Sequence, residues 1–493
     1  MGQMSPWDVR PYAMWNDADQ TIPFNDNCVN NGFFGNANGM DTTHAALRPH
    51  LWLNPKETAN GRDDDGNGYV DDVRGWNWIG GKDGRNVKQD TYELTRVATM
   101  CARARDSVPV QYRAKCPDIQ SEFERKRSEV DQTLANIRQI ENIYAQVTPF
   151  LQRAAHADSL NAQIVTAIQP ANDTIRSAKQ IFLQLNSQGI TPGDVKVAKE
   201  AYESQAQYGY SRTFDPRPIV GDDYPDTLIK NYGNPNVIGP GAEHGTHVAG
   251  IIGGMREGGS GQQATGGIAQ SVRLMALRVV PEGDERDKDI ALAIRYAADN
   301  GAQVINMSFG KGYSPYKYLI DAAVKYADAK GLLMVHAAGN DAQDVETHAN
   351  FPTPVYLDGG RAKNWIEVGA SSWTSKDSLV ASFSNYGHTL VDVFAPGVDI
   401  YSSVSGGGYK KESGTSAASP VVAGVAALLM SYFPNLSAGD VKRIILETST
   451  KLGDQMVVRP GASGDRIRFG DMSVSGGIVN VYNAVRAAQA LQP

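Results

Sequence analysis

The sequence predicts an α/β protein: a doubly wound, mostly parallel sheet with an inserted α-helical hairpin. Three observations carry that prediction. From Ile219 onward, short apolar runs alternate with amphipathic helical patterns. Residues 118 to 188 instead hold two long helical stripes. The 50 glycines, near a tenth of the 493 residues, exceed the roughly 7% average and suit the many loops of such a sheet.

In chain order, residues 1–87 form the first part of the main domain and contain an acidic loop. Arg62-Asp63-Asp64-Asp65-Gly66-Asn67-Gly68-Tyr69-Val70-Asp71-Asp72 crowds five aspartates beside glycine turns. Such carboxylates repel unless a hard cation compensates, and Ca²⁺ takes about six to eight oxygen ligands. Asp63, Asp65, Asn67, the Tyr69 carbonyl and Asp71 fall at positions 1, 3, 5, 7 and 9 of an EF-hand-like loop, with Gly68 at position 6. Position 12 is Arg74 rather than a bidentate Glu, so Asp72 or Glu57 would have to complete the set. The alternative is a solvated acidic loop.

Residues 88–218 read as a mainly helical insertion. Apolar side chains recur at Phe123, Val130, Leu134, Ile137, Ile140, Tyr144, Val147 and Leu151, and again at Leu160, Ile164, Ile168, Ile175, Phe182 and Leu185. Pro149 is expected to kink or end the first helix, and Pro170 interrupts the second stripe. Such a hairpin is either an arm packed on itself or a surface that meets a partner.

Residues 219–493 carry the rest of the main domain. Strands are expected at Val272 to Val280, Gln303 to Ser308, Leu332 to Ala337, Ile366 to Ala370 and Leu390 to Phe394. Helices are expected at Asp289 to Asn300 and Tyr318 to Lys330, each stopped by a following glycine, Gly301 and Gly331. In such a sheet, functional groups gather at strand ends and helix starts.

Composition excludes some functions. Lys and Arg number 47 against 54 Asp and Glu, a net charge of −7, so no polybasic nucleic-acid surface is implied. The longest apolar run, Val421 to Phe433, falls short of the about 20 residues a membrane span needs. Met1 to Trp7 shows no charged segment leading into an apolar one, so no signal peptide is read in this chain. Of the cysteines, a Cys101–Cys116 bridge with Cys28 free and three unpaired thiols are both compatible with the spacing.

The chemistry is concentrated in three segments. Gly414-Thr415-Ser416-Ala417-Ala418-Ser419-Pro420 sets a serine at the opening of an apolar helix, where unpartnered N–H groups and the helix dipole favour a developing oxyanion. Pro420 is expected within the first turn, where a missing N–H costs little. A serine needs a base, and His244-Gly245-Thr246-His247 feeds a small-residue helix. Val335-His336-Ala337-Ala338-Gly339-Asn340 is an apolar strand closed by a side-chain amide.

With these segments in this order, the chain resembles the subtilisin-like serine proteases. The resemblance implies Ser416 as nucleophile, His244 as general base, and Asn340 with the Ser416 N–H as oxyanion hole. It further implies an extended polypeptide substrate, paired along Ser308-Phe309-Gly310, with Ala337-Ala338-Gly339 lining a pocket for uncharged side chains. It also implies a secreted or periplasmic protein, and Asp-rich loops of this kind occur in some bacterial members.

One departure stands out. The family's third catalytic residue is the aspartate of Asp-x-Gly-x-x-x-x-His. Here the matching stretch is Ala37-Asn38-Gly39-Met40-Asp41-Thr42-Thr43-His44, with Ala37 at the aspartate position. Asn31 to Asn36, just before it, are less apolar than a buried parallel strand should be. An inactivating substitution, a naturally degenerate enzyme and a non-authentic N-terminal segment all fit. Asp41 lies four residues away and is a poor substitute. The expected function is a slow serine endopeptidase, with a degenerate peptide-binding homologue as the alternative and a calcium-dependent structural module ranked last.

Overall fold

A computed structural model describes residues 32–35, 39–103, 108–224, 226, 230–255, 266–374, 376–462 and 464–491. The chain divides into two compact units, one of residues 1–88 with 216–493 and the other of residues 89–215. The first is built on a nine-stranded sheet. Its strands are β1 (Gly32–Gly35), β2 (Gly75–Asn77), β3 (Arg273–Arg278), β4 (Ala302–Met307), β5 (Leu333–Ala337), β6 (Trp365–Ser371) and β7 (Val393–Pro396). After a hairpin of β8 (Ile400–Val404) and β9 (Gly408–Glu412) come β10 (Thr450–Lys451), a β11 (Met456–Val458) and β12 (Arg466–Arg468) ribbon, and β13 (Gly477–Ile478).

The spatial order is β10-β13-β7-β6-β5-β4-β1-β3-β2, with only β10 and β13 antiparallel. A doubly wound parallel sheet is therefore observed. The β1 backbone lies centrally, between β3 and β4, despite its modest apolarity. The last predicted strand, Leu390 to Phe394, is displaced to Val393–Pro396.

The second unit is helical: α1 (Glu93–Arg103), α2 (Val110–Arg113), α3 (Cys116–Ala155), α4 (Ala162–Ala167), α5 (Asp173–Ser187) and α6 (Pro192–Ser204). The expected hairpin is thus one long helix with several shorter ones. Asn161 and Asn172 cap α4 and α5, and Thr191 with Asp194 forms a capping box on α6. Pro149 does not end its helix, which continues to Ala155. The missing hydrogen bond is outweighed by burial of Tyr144, Val147 and Leu151 against Val165, Phe182 and Val195. Pro170 does separate α4 from α5. Cys101 and Cys116 are disulfide-bonded, tying α1 to α3; Cys28 lies outside the described residues.

In the first unit, α7 (Arg217–Val220), α8 (Glu243–Gly253), α9 (Asp287–Asp299), α10 (Lys317–Ala329), α11 (Thr415–Tyr432), α12 (Ala438–Thr448) and α13 (Val481–Ala490) complete the fold. Alternate strand residues face opposite layers. Leu274, Val304, Leu333 and Val335 pack with Val248 and Ile252 of α8 and Val422 and Leu429 of α11. Met275, Ile305 and Met334 pack with Ile290 and Ile294 of α9 and Ile320 and Val324 of α10. Among the described residues, α11 is the one helix long and apolar enough to cross a membrane, and most of it is buried in this core.

Candidate active site

Ser416 is the second residue of α11, where its own N–H has no partner one turn back. Asn340 reaches it from the strand β5, three residues past Ala337. Thr415 orients the amide: its N–H and Oγ1 donate to Asn340 Oδ1 at 2.8 and 3.0 Å, while Gly339 N–H donates to Thr415 Oγ1 at 3.1 Å. With Oδ1 occupied, Nδ2 is the donor left to face Ser416. A Cβ placed on Gly414 would stand 2.9 Å from Ser416 Oγ, 3.4 Å from Asn340 Nδ2 and 3.6 Å from Ser416 N. These three atoms border one small space, which a glycine keeps open.

Pro420 is the sixth residue of α11 rather than part of its first turn. Its missing N–H strips the Ser416 carbonyl of its helical partner. Ser308 Oγ replaces it, donating to Ser416 O at 2.9 Å. Ser308 in turn accepts from Asn306 Nδ2 at 2.9 Å, and Asn306 Oδ1 accepts from Ser419 Oγ at 2.8 Å. Leaving a buried carbonyl unmet would cost about 1–3 kcal/mol, so this chain of buried side chains fixes the turn that bears Ser416.

His244 is the second residue of α8 and is half-buried. Burial pushes its imidazole below the ordinary 6.5; the Glu412 carboxylate opposes that, and His247 adds to it. Glu412 closes β9, its Oε2 3.9 Å from His247 Nδ1. The β8–β9 hairpin is pinned to α8: Ser402 Oγ and Ser403 Oγ donate to the carbonyls of His247 and Thr246 at 2.8 and 3.0 Å. A lowered imidazole favours the neutral form that a general base needs.

Ala37 lies outside the described residues. Downstream of it, Asp41 is nearly buried. Burial would raise its carboxyl, but hydrogen bonds from Thr43 Oγ1 and from the Gly406 and Thr43 N–H groups outweigh that and hold it low. The carboxylate is thus committed to loop closure. His44 accepts from Ala46 N–H at Nδ1 and donates from Nε2 to Gly408 O.

Ser308, Phe309 and Gly310 continue β4 beyond its last paired residue, Met307. Ala337 ends β5, and Ala338 and Gly339 follow. Their carbonyls are held from outside: Asn350 Nδ2 donates to Ala337 O at 3.0 Å and Asn385 Nδ2 to Ala338 O at 2.8 Å. Gly339 has φ +105°, and a Cβ there would sit 2.4 Å from Asn385 Nδ2, so only glycine fits.

In the acidic loop, ligand atoms of Glu57, Asp63 and Asp65 lie within 4.8 Å of one another. Glu57 is 8% exposed; its Oε1 accepts from the Asp64 and Asp65 N–H groups at 2.7 and 3.0 Å, and its Oε2 has no partner. Burial raises its carboxyl; those two hydrogen bonds lower it, and the charges of Asp72 and Asp65 raise it again. Asn67 Oδ1 accepts from Tyr69 N–H, and Tyr69 packs its ring on Trp76, Trp78 and Tyr296. Asp71 accepts from the N–H groups of Asn60 and Gly61. Asp72 is wholly buried, bonded to Tyr296, Asn67 and Asn54.

The model of the subtilase family (Peptidase_S8) matches residues 38–464. The chain belongs to that family. Among its relatives, a thermophilic serine proteinase of Bacillus sp. (strain AK1) is 39% identical over 243 residues, 49% of this subtilase and 52% of that protein. Subtilisin DY of Bacillus licheniformis is 36% identical over 224 residues, 44% of this chain and 74% of that protein. The halolysin-like extracellular serine protease Nep of Natrialba magadii is 32% identical over 289 residues, 58% of this chain and 50% of that protein. The subtilase thus spans about half the length of the first and last of these.

Several interactions at the site escape sequence reasoning. Ser308, expected only as part of the peptide-pairing stretch, and Thr415, within the serine segment, act through hydroxyls whose partners lie 108 and 75 positions away. Glu412 carries no motif, although its place four residues before the nucleophile is a usable signal.

Proposed function

We propose that this subtilase is a serine endopeptidase. The observation that carries the reading is the convergence of Ser416 Oγ, Ser416 N–H and Asn340 Nδ2 on one space beside Gly414. Ser416 attacks a peptide carbonyl while His244 takes its proton and later returns it to the leaving amine. Asn340 and the Ser416 N–H hold the oxyanion, in a geometry Thr415 has already set. The substrate lies extended along Ser308-Phe309-Gly310, with Ala337-Ala338-Gly339 lining the pocket for an uncharged side chain.

Calcium is part of this reading. Glu57, Asp63 and Asp65, with Asn67, the Tyr69 carbonyl and Asp71 from the same loop, would hold the ion, and the orphaned, buried Glu57 Oε2 supports a cation there. The ion would brace the loop and take no part in the reaction. Secretion is supported by the Cys101–Cys116 disulfide and by an extracellular relative. Ala37 favours a second reading, a degenerate peptide-binding homologue.

Fluorophosphonate labelling followed by peptide mapping separates the two. The protease reading expects the label on Ser416, lost in Ser416→Ala and slowed in His244→Ala. Label on another serine, or labelling that survives Ser416→Ala, overturns it in favour of peptide binding.

A further inference from the structure

A buried ionisable pair lies in the sheet behind the candidate site. His336 on β5 is fully buried, with Nδ1 2.8 Å from Glu367 Oε1 on β6 and Nε2 2.8 Å from the Phe309 carbonyl oxygen. Glu367 Oε2 accepts from Trp365 Nε1 at 2.8 Å, and the Glu367 N–H donates to Asp392 Oδ2 at 2.8 Å. Asp392 is paired in turn with Lys442 of α12, 3.2 Å away. Burying such groups in a sheet otherwise packed with Met334, Ile305 and Trp365 is costly unless each is satisfied. Here each is, and one of the satisfied partners is not part of the sheet.

That partner is the Phe309 carbonyl. The parallel pairing of β4 with β5 stops at Met307 opposite His336, so a carbonyl two residues further on has lost its strand partner. It accepts instead from His336 Nε2, which must carry a proton because a carbonyl oxygen can only accept. The remaining proton lies between Nδ1 and Glu367 Oε1, so Glu367 fixes the ring orientation. In extended backbone, successive carbonyls point to opposite sides. Tying the 309 carbonyl inward therefore turns the backbone groups of Ser308 and Gly310 the other way, toward the edge an extended peptide would join.

We propose that His336, oriented by Glu367, is a positioning residue for the substrate-binding strand, setting the Ser308 and Gly310 backbone through its hydrogen bond to the Phe309 carbonyl. This rests on the reading of Ser308-Phe309-Gly310 as the peptide-pairing edge. The pair lies behind the strand and touches neither the peptide nor the reacting atoms. Its removal should therefore weaken binding of extended peptides while sparing reactions that do not use the strand.

The test compares His336→Ala, His336→Gln and Glu367→Gln in the full chain. Each is assayed with a tetrapeptide p-nitroanilide, with a single-residue N-acetyl ester, and by the rate of fluorophosphonate labelling. His336→Ala should raise KM for the tetrapeptide about tenfold, the equivalent of one lost hydrogen bond, with ester turnover and labelling within about twofold. His336→Gln, whose amide still donates to Phe309 O, should recover most of the loss, and Glu367→Gln should fall between. An unchanged tetrapeptide KM, or equal losses on all three probes, overturns the proposal. If the parent chain does not label, the endopeptidase reading fails by itself. Calorimetric titration with the tetrapeptide amide then decides the positioning role: about tenfold weaker binding by His336→Ala supports it, and equal binding, or no binding by the parent, overturns it.

Discussion

The Ser416 turn and the acidic loop treat polar groups in opposite ways. Around Ser416, three polar groups have been given protein partners: Asn340 Oδ1 by Thr415, the Ser416 carbonyl by Ser308, Ser308 by Asn306. Around Glu57, Asp63 and Asp65, like charges are brought together and a buried carboxylate oxygen is left over. In the first region the chain supplies the partners, and in the second the grouped carboxylates are a set that a cation could complete. Preorganisation by the chain suits a site whose donors must not relax during reaction; leaving a vacancy suits a brace that responds to its surroundings.

The largest effect expected from this contrast concerns the base. If the nucleophile turn is already complete, restoring the orienting carboxylate is all that full activity requires. Ala37→Asp should then raise kcat on a chromogenic peptide by orders of magnitude, up to about 10⁴. Equal rates would show that Ala37 does not occupy the triad position. Next in size is the oxyanion donor: Asn340→Ala should lower kcat by about 10²–10³ with little change in KM. Thr415→Val should cost up to about tenfold, because the amide loses one of the two hydrogen bonds that orient it and keeps only the one from the residue 415 N–H. Steady-state kinetics in the Ala37→Asp background measure both.

Much of this contrast was legible in the sequence, for physical reasons. Strands β5 and β6 are buried on both faces and read as mostly apolar runs interrupted by His336 and Glu367, and Gly301 and Gly331 mark the ends of α9 and α10. Ser416, His244 and Asn340 sit in short local motifs. The completing interactions were not legible because they are long-range. Nothing near Pro420 announces that Ser308 will serve the carbonyl it frees. Pro149 was misleading, since helix interruption by proline is a local cost that tertiary burial overrode.

The acidic loop supplies the smaller effects. Millimolar calcium should raise the melting temperature by about 5 °C, and Glu57→Gln with Asp63→Asn should abolish that response. Equal midpoints with calcium and with chelator would leave a solvated acidic loop. The pH dependence has a definite sign. Glu57 is raised above its ordinary 4.5, so in chelator its contribution to stability is present below that value and is lost as pH rises through the folded-state value. Calcium, which needs the ionised form, should reverse that trend, and melting curves across acid pH with and without the ion check it.

The smallest effect returns to the base. His244 titrates below 6.5 and the Glu412 charge pulls it upward, so Glu412→Gln should move the acid limb of the kcat/KM profile to lower pH. A limb that stays in place would show that Glu412 does not act on the base.

The helix α11 has a consequence for how the protein comes into being. Thr415 to Tyr432 is apolar enough to suit a bilayer, yet the native fold hides most of it between the sheet and its neighbouring helices. Until those layers close, its apolar surface is open to water and prone to association. Ser416 stands at its first turn, so the layers that conceal that surface are the same ones that place Ser416. A chain that leaves α11 uncovered therefore leaves Ser416 unplaced by the same defect.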